Sequence, residues 1–332
     1  MSSSIMLIAV IAIALIFDFI NGFHDTANAI ATSVSTRVLS PRIAIIMAAV
    51  LNFAGALVSE SVAKTISSGL VSGHLEQYVI IGALLAAVIW DLITWYIGLP
   101  SSSSHALIGG LIGAAIVYTW SFDGIIWTGV IDKVIIPLIT SPLIGFAFGY
   151  LIMSSLFEIL RPFSQKLVNK WFSKLQILSA ALMAFSHGSN DAQKSMGIIT
   201  LALISAGAVS SDAGIPILVK LSCAIAMALG TSIGGWKIIK TIGVNMIKLQ
   251  PIGGFAAETS AAIVIHAMTA LGAPVSTTHV ITSSIMGVGA SKRLSTVRWI
   301  LAKSIVKAWV VTIPATMLLG AGITLLIKVI IL

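Results

Sequence analysis

Two short stretches decide how this chain folds: residues 21–25 read Asn-Gly-Phe-His-Asp, and residues 187–191 read His-Gly-Ser-Asn-Asp. When the two stretches are aligned, their Gly and Asp coincide, and so do Phe19 and Phe185 just before them. A single short match arises easily by chance. Further matches at a similar separation along the chain indicate an internal repeat.

Three further matches follow in the same order along the chain and at nearly the same separation. They are Lys-Thr-Ile at 64–66 and 240–242, Pro-Ser-Ser-Ser-Ser-His at 100–105 with Pro-Val-Ser-Thr-Thr-His at 274–279, and Trp127 with Pro142 against Trp299 with Pro314. Four matches at a nearly constant separation indicate that the chain contains two copies of one unit.

The composition excludes a soluble enzyme. The 332 residues are 58% hydrophobic and only 9% charged, with a mean hydropathy of +1.06, whereas a soluble domain carries about 25% charged residues. Since a membrane helix takes about 20 apolar residues, the length allows roughly ten crossings. We expect the first helix to be retained rather than cleaved as a signal peptide, because residues 1–4 carry no Lys or Arg and His24 and Asp25 interrupt the apolar run.

The positive charges predict how the two copies are oriented. The net charge is +8, and Lys and Arg concentrate on the cytoplasmic side of membrane proteins. If the basic stretch 158–176 is cytoplasmic, 14 of the 19 Lys and Arg residues lie inside. The equivalent loops 120–133 and 292–307 then fall on opposite sides, so the copies are antiparallel and both termini are extracellular. Inverted repeats of this kind are typical of secondary transporters.

The predicted fold class is therefore an all-α polytopic membrane protein. It comprises two inverted-topology repeats of about five crossings each, with broken or re-entrant helices near the midplane and 10–12 membrane segments. The predicted domains are an N-terminal repeat (1–157), a basic cytoplasmic linker (158–176) and a C-terminal repeat (177–332).

The first pair of motifs offers ligands for a small hard cation. Gly beside Asn, Asp and Ser can break a helix, and carboxylate and amide oxygens suit Na⁺. A buried carboxylate near the bilayer centre is costly and indicates function. The predicted Na⁺ ligands are Asn21, Asp25, Asn190 and Asp191 of these motifs, and Glu258 of a separate Gly-Phe-x-x-Glu segment. Glu258 is either a cation ligand or a residue at headgroup level. The alternative is that the acids cap helices in headgroup water.

The second pair of motifs offers donors for an anion. A Pro ends one helix and a Ser or Thr run caps the next, and the free N–H groups of a first helical turn attract anions. Two such ends would hold one tetrahedral oxyanion. The predicted ligands of this oxyanion are Ser101, Ser102, Ser103, Ser104, Ser276, Thr277 and Thr278, together with Asn28, Gln193 and Lys194. The alternative is ordinary helix capping.

Other polar residues leave their roles open. His105 and His279 are either anion donors or packed residues of a first helical turn, and Asp18 and Asp91 are either functional or structural. The single cysteine, Cys223, excludes an intrachain disulfide and a cysteine-based metal site. We expect no transition-metal site, no organic cofactor and no nucleic-acid partner. The sequence also contains no Walker motif, so we do not expect ATP-driven pumping.

At these residues the chain resembles the inorganic phosphate transporter (PiT) family. The resemblance rests on the duplicated signatures at 22–40 and 185–200, the two Pro-to-His segments and the Gly-Phe-x-x-Glu segment, and it extends over essentially the whole chain. It implies inverted repeats, uptake of inorganic phosphate driven by Na⁺ or H⁺, and a homodimer. It assigns the signature Asp and Asn to Asp25, Asn28, Asn190 and Asp191, the hydroxyl segments to 101–104 and 276–278, and the glutamate to Glu258.

The second signature departs from the animal branch, which reads Asn-Asp-Val-Ala-Asn-Ala where residues 190–195 read Asn-Asp-Ala-Gln-Lys-Ser. This form and the short linker are similar to prokaryotic members. The expected function is Na⁺-coupled phosphate uptake across a prokaryotic plasma membrane by alternating access. The alternatives are an H⁺-coupled phosphate or metal-phosphate permease, a sulfate permease, and a passive anion channel.

Overall fold

The computed structural model describes residues 3–72, 75–210 and 214–331. The first half holds α1 (Ser3–Ser35), α2 (Pro41–Ala56), α3 (Ser61–Ser68), α4 (Gln77–Ile97), α5 (Ser103–Thr119), α6 (Trp127–Val130), a π-helical turn (Ile131–Ile135) and α7 (Ile136–Leu160). The second half holds α8 (Gln165–Ser205), α9 (Ile217–Ile233), α10 (Trp236–Ile239), a π-helical segment (Lys240–Asn245), α11 (Pro251–Ala270), α12 (Thr277–Lys292), a 3₁₀ turn (Leu294–Thr296) and α13 (Trp299–Ile331).

The two halves repeat one order of elements. Each begins with a long helix that carries the Gly-Asp motif (α1 and α8). A bent helix pair, a helical hairpin and a long last helix with an internal proline follow, Pro142 in α7 and Pro314 in α13. The predicted linker 158–176 holds the end of α7, a short turn and the first three turns of α8.

Within the part of the chain that the structure describes, five helical segments are long and apolar enough to cross a bilayer. Two bent pairs raise the number to seven: α2 with α3, at 65°, and α9 with the segment at 237–243, at 67°. Their outer surface is apolar, since side chains such as Leu143 of α7 and Val310 of α13 are 64% and 68% exposed. The prediction of an all-α polytopic membrane protein with bent helices is confirmed.

The Gly-Asp motifs do not break their helices, contrary to our expectation. Both α1 and α8 run continuously through them. The glycines allow close helix contact instead. A Cβ added to Gly22 would collide with the α9 backbone, and one added to Gly188 would collide with the α2 backbone at Asn52. Small residues at helix crossings are typical of membrane bundles.

The two halves exchange their last helices. The last helix of the first half, α7, packs against α12 of the second half, and α13 packs against α5 of the first. The motif helices cross in the same reciprocal way, α1 against α9 and α8 against α2. This exchange brings both motif helices and both hairpins to the centre of the bundle.

Candidate substrate and ion site

The two helical hairpins end in equivalent capped turns. The α4–α5 connection reverses at Gly98, whose φ of 77° is left-handed and suits glycine. The Ser102 hydroxyl then accepts a bond from the backbone N–H of His105 at 3.2 Å. In the second hairpin the Ser276 hydroxyl accepts from the N–H of His279, also at 3.2 Å. The predicted Ser and Thr caps are confirmed at both hairpin tips.

The two hairpin tips touch each other. The Ser104 hydroxyl donates to the backbone carbonyl of Val275 at 2.9 Å, and the ring centroids of His105 and His279 lie 4.9 Å apart. Trp309 of α13 stacks on His279 at 3.9 Å and donates its indole N–H to the carbonyl of Pro100 at 3.3 Å. Both histidines are thus held in a packed layer beside the capped helix ends.

The motif of α1 bonds to both tips. The Asn28 side-chain NH₂ donates to the hydroxyls of Thr277 and Thr278, at 3.2 and 2.8 Å. The Asp25 carboxylate accepts from the hydroxyls of Ser103 at 3.0 Å and Thr278 at 3.4 Å. Ser103 also donates to Asn21 Oδ1. The carboxylate of the first copy therefore contacts hydroxyls from both hairpins.

The motif of α8 meets the same tips from the other half. Asp191 accepts from the Thr277 hydroxyl at 3.4 Å. Its Oδ2 lies 2.9 Å from Lys194 Nζ and 3.4 Å from His187 Nε2. Because residues three and four apart share one face of a helix, the three side chains lie together on one face of α8, where Asp191 contacts the second hairpin.

Oxygen and imidazole atoms converge where the motifs meet. Asp25, His187 and Asp191 each offer one ligand atom within 4.8 Å of the others. Among the described residues, no hydrogen-bond donor reaches Asn28 Oδ1, Asn190 Oδ1 or Asp191 Oδ1. Buried acceptors of this kind are costly unless a donor or a cation satisfies them, so the arrangement suits a bound cation.

The site is enclosed by protein. Asp25 is 2% exposed, Asp191 0% and Lys194 1%, and the hydroxyls at both tips are equally buried. Both acids also lie well inside their helices rather than at the ends. This burial does not fit the alternative in which the two acids cap helices in headgroup water.

Two predicted ligands lie apart from this centre. Glu258 of α11 accepts bonds from Thr32, Gln176 and Ser179, and among the described residues no hydrogen bond joins it to Asp25 or Asp191. Gln193 Oε1 accepts from the backbone N–H groups of Val62 and Ala63, at 2.8 and 3.1 Å. It therefore accepts two backbone N–H groups that the first turn of α3 leaves without a partner inside the helix.

Asn190 is held by the second hairpin, where its NH₂ donates to the Thr269 hydroxyl at 2.8 Å and to the carbonyl of Ala273 at 3.3 Å. Its free Oδ1 remains on the α8 side of the site. Ser101 bonds to the Thr94 hydroxyl at 2.8 Å, which places it at the base of the first tip.

Sequence reasoning missed the parts played by two histidines. His24 bridges Asp25 at 2.6 Å and Thr94 at 3.1 Å. His187 lies 3.4 Å from Asp191 and offers a ligand atom within 4.8 Å of one on Asp25. The available signal was spacing. His187 lies four residues before Asp191, which is one helical turn, but only if the helix continues through the motif.

Comparisons with known proteins identify the family of this chain. The family model described as the phosphate transporter family matches residues 21–167 and 160–320. The chain belongs to the phosphate transporter family. The resemblance to the PiT family is thereby confirmed, and the protein is a transporter rather than an enzyme.

The similarity of this phosphate transporter to its relatives extends from end to end. It is 52% identical over 320 residues to a probable low-affinity inorganic phosphate transporter of Bacillus subtilis, with 96% of each chain covered. It is 49% identical over 321 residues to one of Rhizobium meliloti, with 95% of each covered. A solved structure described as "The sodium-dependent phosphate transporter" matches with a TM-score of 0.84 at 25% identity, over 98% of this chain and 99% of the other.

Proposed function

We propose that this transporter carries inorganic phosphate into a prokaryotic cell in symport with Na⁺, by alternating access. The observation that carries the proposal is the convergence of two carboxylates and two hydroxyl-bearing helix ends on one buried site. A passive anion channel has no use for carboxylates beside its anion. A symporter needs them to hold the coupling cation.

Phosphate would lie between the two hairpin tips. The hydroxyls of Ser103, Ser104, Thr277 and Thr278 supply donors, and the first turns of α5 and α12 add backbone N–H groups and a partial positive charge. Asn28, which already donates to both threonines, would orient them. The proposed anion site contains no arginine, so its charge must be offset by helix ends and cations.

Na⁺ would lie beside the phosphate, held by Asp25 and Asp191 with the amide oxygens of Asn28 and Asn190. A cation and an anion bound next to each other each lower the cost of burying the other, and that coupling free energy ties the two fluxes together. Glu258 remains a predicted Na⁺ ligand in its own polar cluster. The proposed assembly is a homodimer in the plasma membrane with both termini extracellular.

Uptake of radiolabelled phosphate by the purified protein in liposomes tests this function. We expect accumulation under an inward Na⁺ gradient, no accumulation under a proton gradient alone, and no competition from excess sulfate. Accumulation driven by protons alone would show that H⁺, not Na⁺, is the coupling ion. Uptake of sulfate would show that phosphate is not the specific substrate. Electrodiffusive flux without accumulation would favour a channel.

Replacing either carboxylate tests the cation site. In Asp25→Asn and Asp191→Asn we expect the half-saturating Na⁺ concentration to rise about tenfold or more, because each change removes a charge-assisted interaction worth about 1.5–3 kcal/mol. Asp123→Asn is the matched control, since Asp123 is exposed in the loop after α5. Unchanged Na⁺ activation in both variants would reject the assignment.

A further inference from the structure

The two halves of the central site differ at one position. In the alignment of the two copies that matches Asp25 with Asp191, Asn28 is equivalent to Lys194. Each follows its aspartate by one turn of a continuous helix. The same place in the two repeats therefore carries an amide in one half and an ammonium in the other.

The amide and the ammonium do different things. Asn28 bonds to two hairpin hydroxyls through its NH₂ and leaves Oδ1 without a donor among the described residues, so it can serve as a cation ligand. Lys194 has three donors and no acceptor and cannot coordinate a metal ion. Its ammonium lies 2.9 Å from Asp191 Oδ2, where a cation bound to that carboxylate would lie.

We propose that Lys194 is a tethered cation that replaces one Na⁺ in the second half of the site. The chain then binds one Na⁺ fewer at its centre than the same site would with Asn in both halves. The inference rests on the proposed function, because Lys194 would then set the number of Na⁺ ions that accompany each phosphate.

Burial and charge support this assignment. Lys194 is 1% exposed and Asp191 is 0% exposed, and a buried charge is stable only beside its opposite. A second free cation next to Asp191 would face the ammonium at short range with little water to screen it. The fixed positive charge therefore neutralises the Oδ2 side of Asp191 and excludes a second Na⁺ there, while Asp191 Oδ1, which no donor reaches among the described residues, stays open to the Na⁺ shared with Asp25.

The direct test is the number of Na⁺ ions per phosphate in liposomes, from paired ²²Na⁺ and ³²P-phosphate uptake. We expect Lys194→Asn to raise this ratio by one and to steepen the dependence of uptake on Na⁺ concentration. The converse change, Asn28→Lys, should lower the ratio by one. Lys64→Asn, which removes an exposed lysine on α3, should leave the ratio unchanged.

Two variants separate this role from a direct contact with phosphate. Lys194→Met removes the charge without adding a ligand, so we expect weaker uptake than in Lys194→Asn. If Lys194→Asn transports with an unchanged ratio and only its half-saturating phosphate concentration rises, Lys194 is a phosphate ligand and the proposal is wrong.

Equilibrium binding of ²²Na⁺ to the purified protein tests the idea without transport. Lys194→Asn should bind one Na⁺ more than the unaltered chain, even if it no longer carries phosphate. Equal numbers would overturn the proposal. Uptake by the unaltered chain that ignores Na⁺ would contradict the proposed function, whereas the difference between the two binding numbers still decides the role of Lys194.

Discussion

The hydroxyl of Thr278 forms hydrogen bonds to two different residues of the α1 motif. It accepts from Asn28 at 2.8 Å and donates to Asp25 at 3.4 Å, so it lies between the proposed anion and cation positions. Thr316, in contrast, donates only to carbonyls of its own helix, α13. Both hydroxyls are buried, which makes them a matched pair.

We expect Thr278→Val to raise the half-saturating phosphate concentration about tenfold, because the change preserves shape but removes the nearer of the two hydroxyl acceptors of the Asn28 NH₂, at a cost of about 1–3 kcal/mol. Thr316→Val should leave it unchanged. Measured phosphate uptake at saturating Na⁺ compares the two. Equal half-saturating phosphate concentrations in the two variants would show that Thr278 is not part of the anion site.

Among the helices, the crossings of α1 with α9 and of α8 with α2 bring backbones into close contact around the site. A Cβ added to Gly55 of α2 would collide with the carbonyl of Phe185, and one added to Gly230 of α9 would collide with the carbonyl of Phe19. The two phenylalanines are equivalent in the repeat, so both crossings are built in the same way.

We expect Gly55→Ala to lower the melting temperature in detergent by several degrees, because overpacking a tight contact costs about 1–3 kcal/mol. Gly322→Ala is the control, since a Cβ added at Gly322 of α13 meets nothing within 4 Å and alanine favours a helix. A melting temperature for Gly55→Ala at or above that of Gly322→Ala would show that the crossing tolerates a wider spacing.

The sequence predicted the repeated order of elements and the capped tips, because Pro, Ser and His at fixed spacing determine local structure. It did not predict that α1 and α8 continue through Gly22 and Gly188. Glycine permits both a break and a close crossing, and only the partner helix decides between them. The roles of His187 and Gln193 were hidden for the same reason, since each depends on a segment distant in sequence.

At the scale of the whole molecule, the inverted orientation of the halves remains a prediction from charge, and exposed loops can test it. Asp123 after α5 and Ser295 after α12 are both exposed, whereas the native Cys223 is buried. In intact cells we expect a membrane-impermeant maleimide to label Asp123→Cys but not Ser295→Cys. Labelling of both from outside would place the two loops on one side and contradict the inversion.

The exchanged packing of the last helices also governs how the chain is made. Because α13 packs against α5, the second helix of the first hairpin gains this cover only after the chain has been synthesised as far as the 33-residue α13. Until then the Ser-rich tip of the first half is held by contacts within that half, such as those of Ser103 with Asn21 and Asp25 of α1, without the contacts that the second half supplies. A nascent chain that stops before α13 would therefore leave α5, a helix made long before it, without that cover.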